Sequence, residues 1–185
     1  MKVASDAVRA HLQVAEVGKR AALRGDHAEA LRSYREAMRM AVQSRSPEAF
    51  FRHYLEASLE SLELMGDFDS VLEYCGRAID HYAKTPPSND LAWLDLASVY
   101  QRRGVVLCKV GNTAAATEAF DAALRQAQRI GATLELSQRL RGWIARGLTL
   151  TPERVLQEQR RLRYFSVREE TLRAASGVSA RKSPL

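Results

Sequence analysis

Residues 25–37 read GDHAEALRSYREA, and residues 111–123 read GNTAAATEAFDAA. Both stretches begin with a glycine that suits the end of one helix and a polar residue that suits the start of the next. At equal distances from that glycine they then place alanine, an aromatic ring and alanine: Ala30, Tyr34 and Ala37 in one, Ala116, Phe120 and Ala123 in the other. A weaker copy, GDFDSVLEYCGRA at residues 66–78, has Cys75 where the others have the ring. Such self-similarity predicts an array of helical repeats.

Around these stretches the apolar residues recur at steps of three and four, and no segment alternates with the period of a strand. The prolines fall between the periodic segments or near the chain end, and none interrupts a run. We therefore predict an all-α fold of about eight helices, at residues 5–24, 27–44, 47–65, 68–84, 90–110, 113–130, 132–146 and 152–174.

The repeated pattern resembles the tetratricopeptide (TPR) repeat. Gly18 and Gly104 lie in the first helices of the first and third units, and the turns at Gly25, Gly66 and Gly111 separate the two helices of each unit. The turns are 41 and 45 residues apart, longer than the 34-residue TPR period, and we assign the difference to long first helices. The resemblance implies antiparallel hairpins stacked as a right-handed superhelix (an α-solenoid).

The same resemblance sets the expected domain organisation. Residues 1–175 form a single domain, with repeats at about 5–44, 47–85 and 90–130. Helices at 132–174 close the array as a capping pair, because an end repeat would otherwise leave an apolar face in water. Residues 176–185 have no periodicity and are expected to be a flexible tail.

In TPR arrays the first helices line a concave groove that holds a peptide segment or a helix of a partner. Carried over to this chain, the groove residues are Lys19, Leu23, His53, Glu56, Glu60, Glu63, Leu64, Ser98, Gln101, Val105 and Lys109. Glu56, Glu60 and Glu63 share one helix face, where three carboxylates repel one another unless a cation approaches. The groove is thus predicted to accept a basic segment, with a solvated polar face as the plain alternative.

The net charge of +6 is concentrated near the C-terminus. Residues 1–138 have 17 basic and 18 acidic side chains, whereas residues 139–185 have 11 and 4. Arg154, Arg161 and Arg168 recur every seven residues, and Arg160 and Arg163 lie beside them, which predicts a basic surface for an acidic protein, anionic lipid or phosphates. Interleaved glutamates and few aromatic rings argue against nucleic acid, and an ordinary solvated capping helix is the alternative.

No catalytic or metal-binding pattern is present, and no cofactor is expected. The four histidines are scattered, and no phosphate-binding glycine loop or nucleophile motif occurs. Cys75 and Cys108 lie in helical runs, which favours a reducing compartment over a disulfide framework. With no apolar run of membrane-spanning length and no signal core at the N-terminus, a cytoplasmic location is expected and membrane insertion is not.

The sequence therefore predicts a non-catalytic adaptor or scaffold that binds a segment of another protein. Two other functions remain open. One is a bacterial secretion-type chaperone that holds an aggregation-prone client, and the other is a nucleic-acid-linked regulator that uses the basic C-terminal helix. The identity of the partner and the oligomeric state are left open by the sequence.

Overall fold

The computed structural model describes residues 2–172, and over this range the all-α prediction is confirmed. There are eight α-helices and one short 3-10 turn in the described chain, and no strand. The helices are α1 (Lys2–Leu23), α2 (His27–Gln43), α3 (Glu48–Met65), α4 (Phe68–Lys84), α5 (Asp90–Lys109), α6 (Thr113–Arg129), α7 (Glu135–Ala145) and α8 (Pro152–Arg161), and the 3-10 turn is Glu169–Thr171. Within the described residues, no helix has the length and apolar character required to cross a bilayer.

The three glycine turns have the same geometry. Gly25, Gly66 and Gly111 each have φ of +82°, a left-handed conformation that L side chains rarely adopt. In each turn the amide of the next residue donates to a carbonyl five residues back, as Asp26 does to Ala21 at 2.9 Å. That next residue also caps the following helix. The side chains of Asp26, Asp67 and Asn112 accept hydrogen bonds from the backbone amides of Glu29, Ser70 and Ala115, respectively. The predicted repeat of the turn is confirmed.

The described chain divides into two compact units. The first contains residues 2–61 together with residues 166–172, which we call the C-terminal segment. Its core is built from small side chains around two tyrosines: Ala15, Ala21, Ala30, Ala37, Ala41 and Ala57 with Tyr34 and Tyr54. Alanine faces bring the helices close together, and the rings fill the remaining space.

The second unit is Leu62–Phe165. α5 lies at its centre and packs against α4, α6, α7 and α8. Val71, Cys75, Val99 and Val106 form one apolar cluster there. Val105, Cys108, Phe120, Leu140 and Val155 belong to another. The prediction of one domain over residues 1–175 stays a prediction, and the predicted tail at 176–185 lies outside the described residues.

The C-terminal helix is shorter than predicted. It ends at Arg161, not at residue 174, because Arg163 adopts a left-handed φ of +52°. The Arg163 amide donates to the Arg160 carbonyl and the Tyr164 amide to the Gln159 carbonyl, which closes the helix as a glycine would. The C-terminal segment therefore does not continue α8, and the backbone of Arg168 within it is extended.

Candidate functional site

The three α3 carboxylates that were predicted to line the groove together differ in their exposure. Glu60 and Glu63 are only 3% and 2% exposed, while Glu56 is half-buried. An ionised carboxylate in such a position is costly unless hydrogen bonds or charges compensate it. That this face accepts a basic segment stays a prediction; in the structure, groups of the chain itself bind Glu60 and Glu63.

Glu60 binds the C-terminal segment through its main chain. The amides of Ser166 and Val167 donate to the two carboxylate oxygens, at N–O distances of 2.6 and 3.1 Å. Hydrogen bonds to an ionised acceptor are the stronger class, and two consecutive amides satisfy both oxygens at once. Glu60 thus binds a stretch of backbone through two consecutive N–H groups.

The side chain of Val167 packs beside this contact. It lies against a cluster made of Ala21, Ala30, Tyr34 and Ala57, with Ala22 at its edge. Burial raises the pKa of the Tyr34 phenol, and the nearby charges of Glu60 and Glu16 raise it further. Tyr34 therefore stays neutral beneath the buried carboxylate.

Further along the segment, Lys19 of α1 donates to the Thr171 carbonyl at 3.5 Å. The Thr171 hydroxyl lies 2.8 Å from the Arg168 carbonyl and accepts from the Arg168 amide at 3.0 Å. It thereby closes the 3-10 turn, because one side chain satisfies polar groups on both sides of it. We call the surface formed by Lys19, Ala21, Ala57 and Glu60 the α1–α3 face.

A cavity of about 260 Å³ adjoins the α1–α3 face at Lys19. Its lining is mainly apolar with three polar side chains, and consists of Leu12, Ala15, Glu16, Lys19, Ala49, Phe50, His53 and Tyr54. Two predicted groove residues, Lys19 and His53, are thus brought to one cavity. A mixed lining of this kind can receive an apolar side chain and orient it by a few polar contacts.

One wall of the cavity rests on a buried histidine. The ring of His11 lies 2.7 Å from the Tyr54 hydroxyl through Nδ1 and 3.0 Å from the Ser46 hydroxyl through Nε2, and packs edge-on to Phe50. Neutral imidazole donates from one nitrogen and accepts at the other, so it suits these two hydroxyls. Burial lowers the pKa of His11 below its ordinary value.

Because the folded pKa of His11 is depressed, the unfolded chain takes up the proton first as the pH falls. His11 should therefore reduce the free energy of unfolding below about pH 6.5, with a slope of at most about 1.4 kcal/mol per pH unit until the folded pKa is reached. Urea unfolding at pH 7.5, 6.5 and 5.5 would measure this slope. The pKa of His27 is also lowered, so the comparison must be with His11→Gln, whose slope should be smaller. Equal slopes in the two chains would contradict the expectation.

In the second unit, Glu63 is the centre of a buried polar cluster. Lys109 Nζ and Gln159 Nε2 each lie 2.7 Å from its carboxylate, and Arg102 is at 3.6 Å. Lys109 was predicted to line the groove, but its ammonium is committed to Glu63. The predicted groove residue Val105 is fully buried in the core, because the face of α5 that carries it packs against other helices.

The remaining predicted groove residues are dispersed. Leu23 is exposed, and Leu64 lines a cavity of about 240 Å³ with Lys109 and Leu156. The Ser98 hydroxyl donates to the Leu94 carbonyl of its own helix, and Gln101 accepts from Ser137 at 2.9 Å. The polar groups of Ser98 and Gln101 thus bond within the second unit.

The predicted basic surface is also rearranged. Arg154 stacks on Trp143 at 4.8 Å, and Arg161 pairs with Glu158 at 2.7 Å, a bond that lowers the pKa of Glu158. Arg160 and Arg163 are exposed. Arg168 lies beyond the end of α8, near Glu170 at 3.9 Å, so its seven-residue spacing from Arg161 has no helical meaning. Only Arg154, Arg160 and Arg161 of these arginines lie on α8, and the basic surface itself stays a prediction.

No family model, curated protein or solved structure matches the chain. Over residues 2–172, no group of three or more His, Cys, Asp or Glu side chains is placed to hold a metal ion. Both cysteines are buried, and burial raises the pKa of the Cys108 thiol to about 12, which keeps it protonated and unreactive. The chemistry available on the α1–α3 face is hydrogen bonding and apolar contact.

Sequence reasoning missed Ser166, Val167 and Thr171. All three fell inside the predicted helix 152–174, and nothing in the sequence marks Arg163 as the point at which that helix ends. A threonine that closes a short turn after two glutamates is a weak signal by itself.

Proposed function

We propose that this protein is a TPR-type interaction module, without catalysis of its own, that holds a non-helical segment of a partner protein on the α1–α3 face. One observation carries the proposal: the chain's own C-terminal segment is held there by contacts that an added peptide would also make. Two backbone amides bind Glu60, a backbone carbonyl binds Lys19, and one small aliphatic side chain packs against a cluster of alanines and Tyr34.

The neighbouring cavity supports the proposal. It continues along α1 from Lys19 towards Leu12, and along α3 from Tyr54 towards Ala49, and has room for a further side chain of a bound segment. We place the protein in the cytoplasm, because two buried cysteines that form no disulfide suit a reducing compartment.

Site-specific photo-crosslinking tests this function. A benzoylphenylalanine at Ala49, on the rim of the cavity, should capture a partner from native extract. The matched control is the same residue at Arg35, which is exposed on α2. Capture from position 49 should be at least fivefold above capture from position 35. The crosslinks should map to one linear segment of the captured protein, and a synthetic peptide of that segment should bind reversibly. Equal capture at the two positions would overturn the proposal.

A further inference from the structure

The C-terminal segment has the properties of a ligand. It belongs to no α-helix, and in the first unit its main-chain groups bond to Glu60 and Lys19 of the α1–α3 face. Its own residues are half-buried or exposed, so it covers the face without being enclosed by it.

We infer that residues 166–172 are a resident ligand of the α1–α3 face, and that a partner segment binds by displacing them. The inference rests on the proposed function and adds two things to it. It specifies which residues a partner segment needs, and it states that the chain's own segment competes with the partner for the face.

The contacts define which segments fit. Two consecutive amides must reach Glu60, so neither of these positions in the partner can be proline. The second position must have a small branched aliphatic side chain like that of Val167, because its surroundings are alanines and the ring of Tyr34. Four residues later a carbonyl must face Lys19, as that of Thr171 does. Basic side chains are not required at any of these positions.

The covalent attachment of the resident segment determines the strength of the competition. A tethered ligand experiences an effective concentration in the millimolar range when the linker allows the contact. A free peptide of the same sequence therefore has to be present at a similar concentration to displace it. A chain whose own segment is disengaged should bind that peptide much more tightly.

The test uses the full chain and an acetylated, fluorescent Ser-Val-Arg-Glu-Glu-Thr-Leu peptide, which copies residues 166–172. Val167→Asp places a carboxylate next to Glu60 and should release the segment. Fluorescence anisotropy should show at least tenfold tighter binding to this variant than to the unmodified chain. Val42→Asp is the matched control, because it makes the same substitution at an exposed site of α2, and it should behave as the unmodified chain does.

A second peptide tests the hydrogen bonds. Methylation of its valine nitrogen removes one of the two donors to Glu60 and should weaken binding to Val167→Asp at least tenfold. The inference is overturned if the plain peptide binds neither chain, if it binds both equally, or if methylation has no effect.

Hydrogen exchange on the unmodified chain gives an answer even if Val167→Asp fails to fold. Unlabelled peptide at about 1 mM should accelerate exchange of the Ser166 and Val167 amides, since it takes their place on Glu60. Unchanged exchange would overturn the inference. The proposed function would still stand in that case if position 49 captured a partner. If exchange is unchanged and position 49 captures nothing, both the inference and the proposed function are overturned.

Discussion

Replacement of Lys109 by methionine is expected to lower the free energy of unfolding by about 3 to 5 kcal/mol, because it leaves the carboxylate of Glu63 buried without its closest cation. Methionine keeps the length and most of the volume of the lysine stem, so lost packing contributes little. Arg102, at 3.6 Å, is too far away to replace a hydrogen bond of 2.7 Å. Urea denaturation followed by circular dichroism would measure the change.

Two further variants make this expectation specific. Lys84→Met removes the same side chain at an exposed site on α4 and should change the stability by no more than about 0.5 kcal/mol. Glu63→Gln combined with Lys109→Met removes the buried carboxylate and should recover part of the loss; the recovery is partial because Arg102 also loses this anion. A loss below 1 kcal/mol for Lys109→Met alone would mean that water reaches Glu63.

Gly104→Ala is expected to lower the free energy of unfolding by about 1 to 3 kcal/mol, although alanine is the better helix former. A Cβ at this position would lie 2.6 Å from Cε1 and 2.7 Å from Cδ1 of Phe120, closer than carbon atoms approach in proteins. The ring is fully buried and cannot move aside without opening the core of the second unit.

Gly142→Ala, in the same unit, is expected to change the free energy of unfolding in the opposite direction. This glycine is inside α7, and a Cβ there would meet nothing within 4 Å. The substitution should raise stability by about 0.5 to 1 kcal/mol through helix propensity alone. Thermal unfolding of both variants would show opposite shifts. A Gly104→Ala chain as stable as Gly142→Ala would show that α5 and α6 can separate to accommodate the methyl group.

Local rules were sufficient for the first seven helices and the three glycine turns. A glycine followed by Asp or Asn, at three places, specifies the left-handed residue and the cap that ends one helix and starts another. The repeated pattern placed Gly104 and Phe120 in the two helices of one unit, and the structure brings the glycine against the ring. These features depend on a few neighbouring residues, so the sequence contains them directly.

The candidate site could not be predicted in the same way. The burial of Glu60 depends on a segment more than 100 positions away, and that segment is available only because Arg163 ends α8 without a glycine. A left-handed conformation is uncommon for arginine, and hydrophobic periodicity does not report it. For the same reason Glu63 appeared to be a groove residue, whereas Gln159 and Lys109 enclose it.

The two buried carboxylates also have a consequence for biosynthesis. Glu63 obtains Gln159 as a partner across 96 positions of sequence, and Glu60 obtains Ser166 across 106. A ribosome therefore delivers both acids long before it delivers these two hydrogen-bond donors. Neither unit can reach its final state during translation until residues 159–167 have emerged, and a product terminated before them lacks these donors to Glu63 and Glu60.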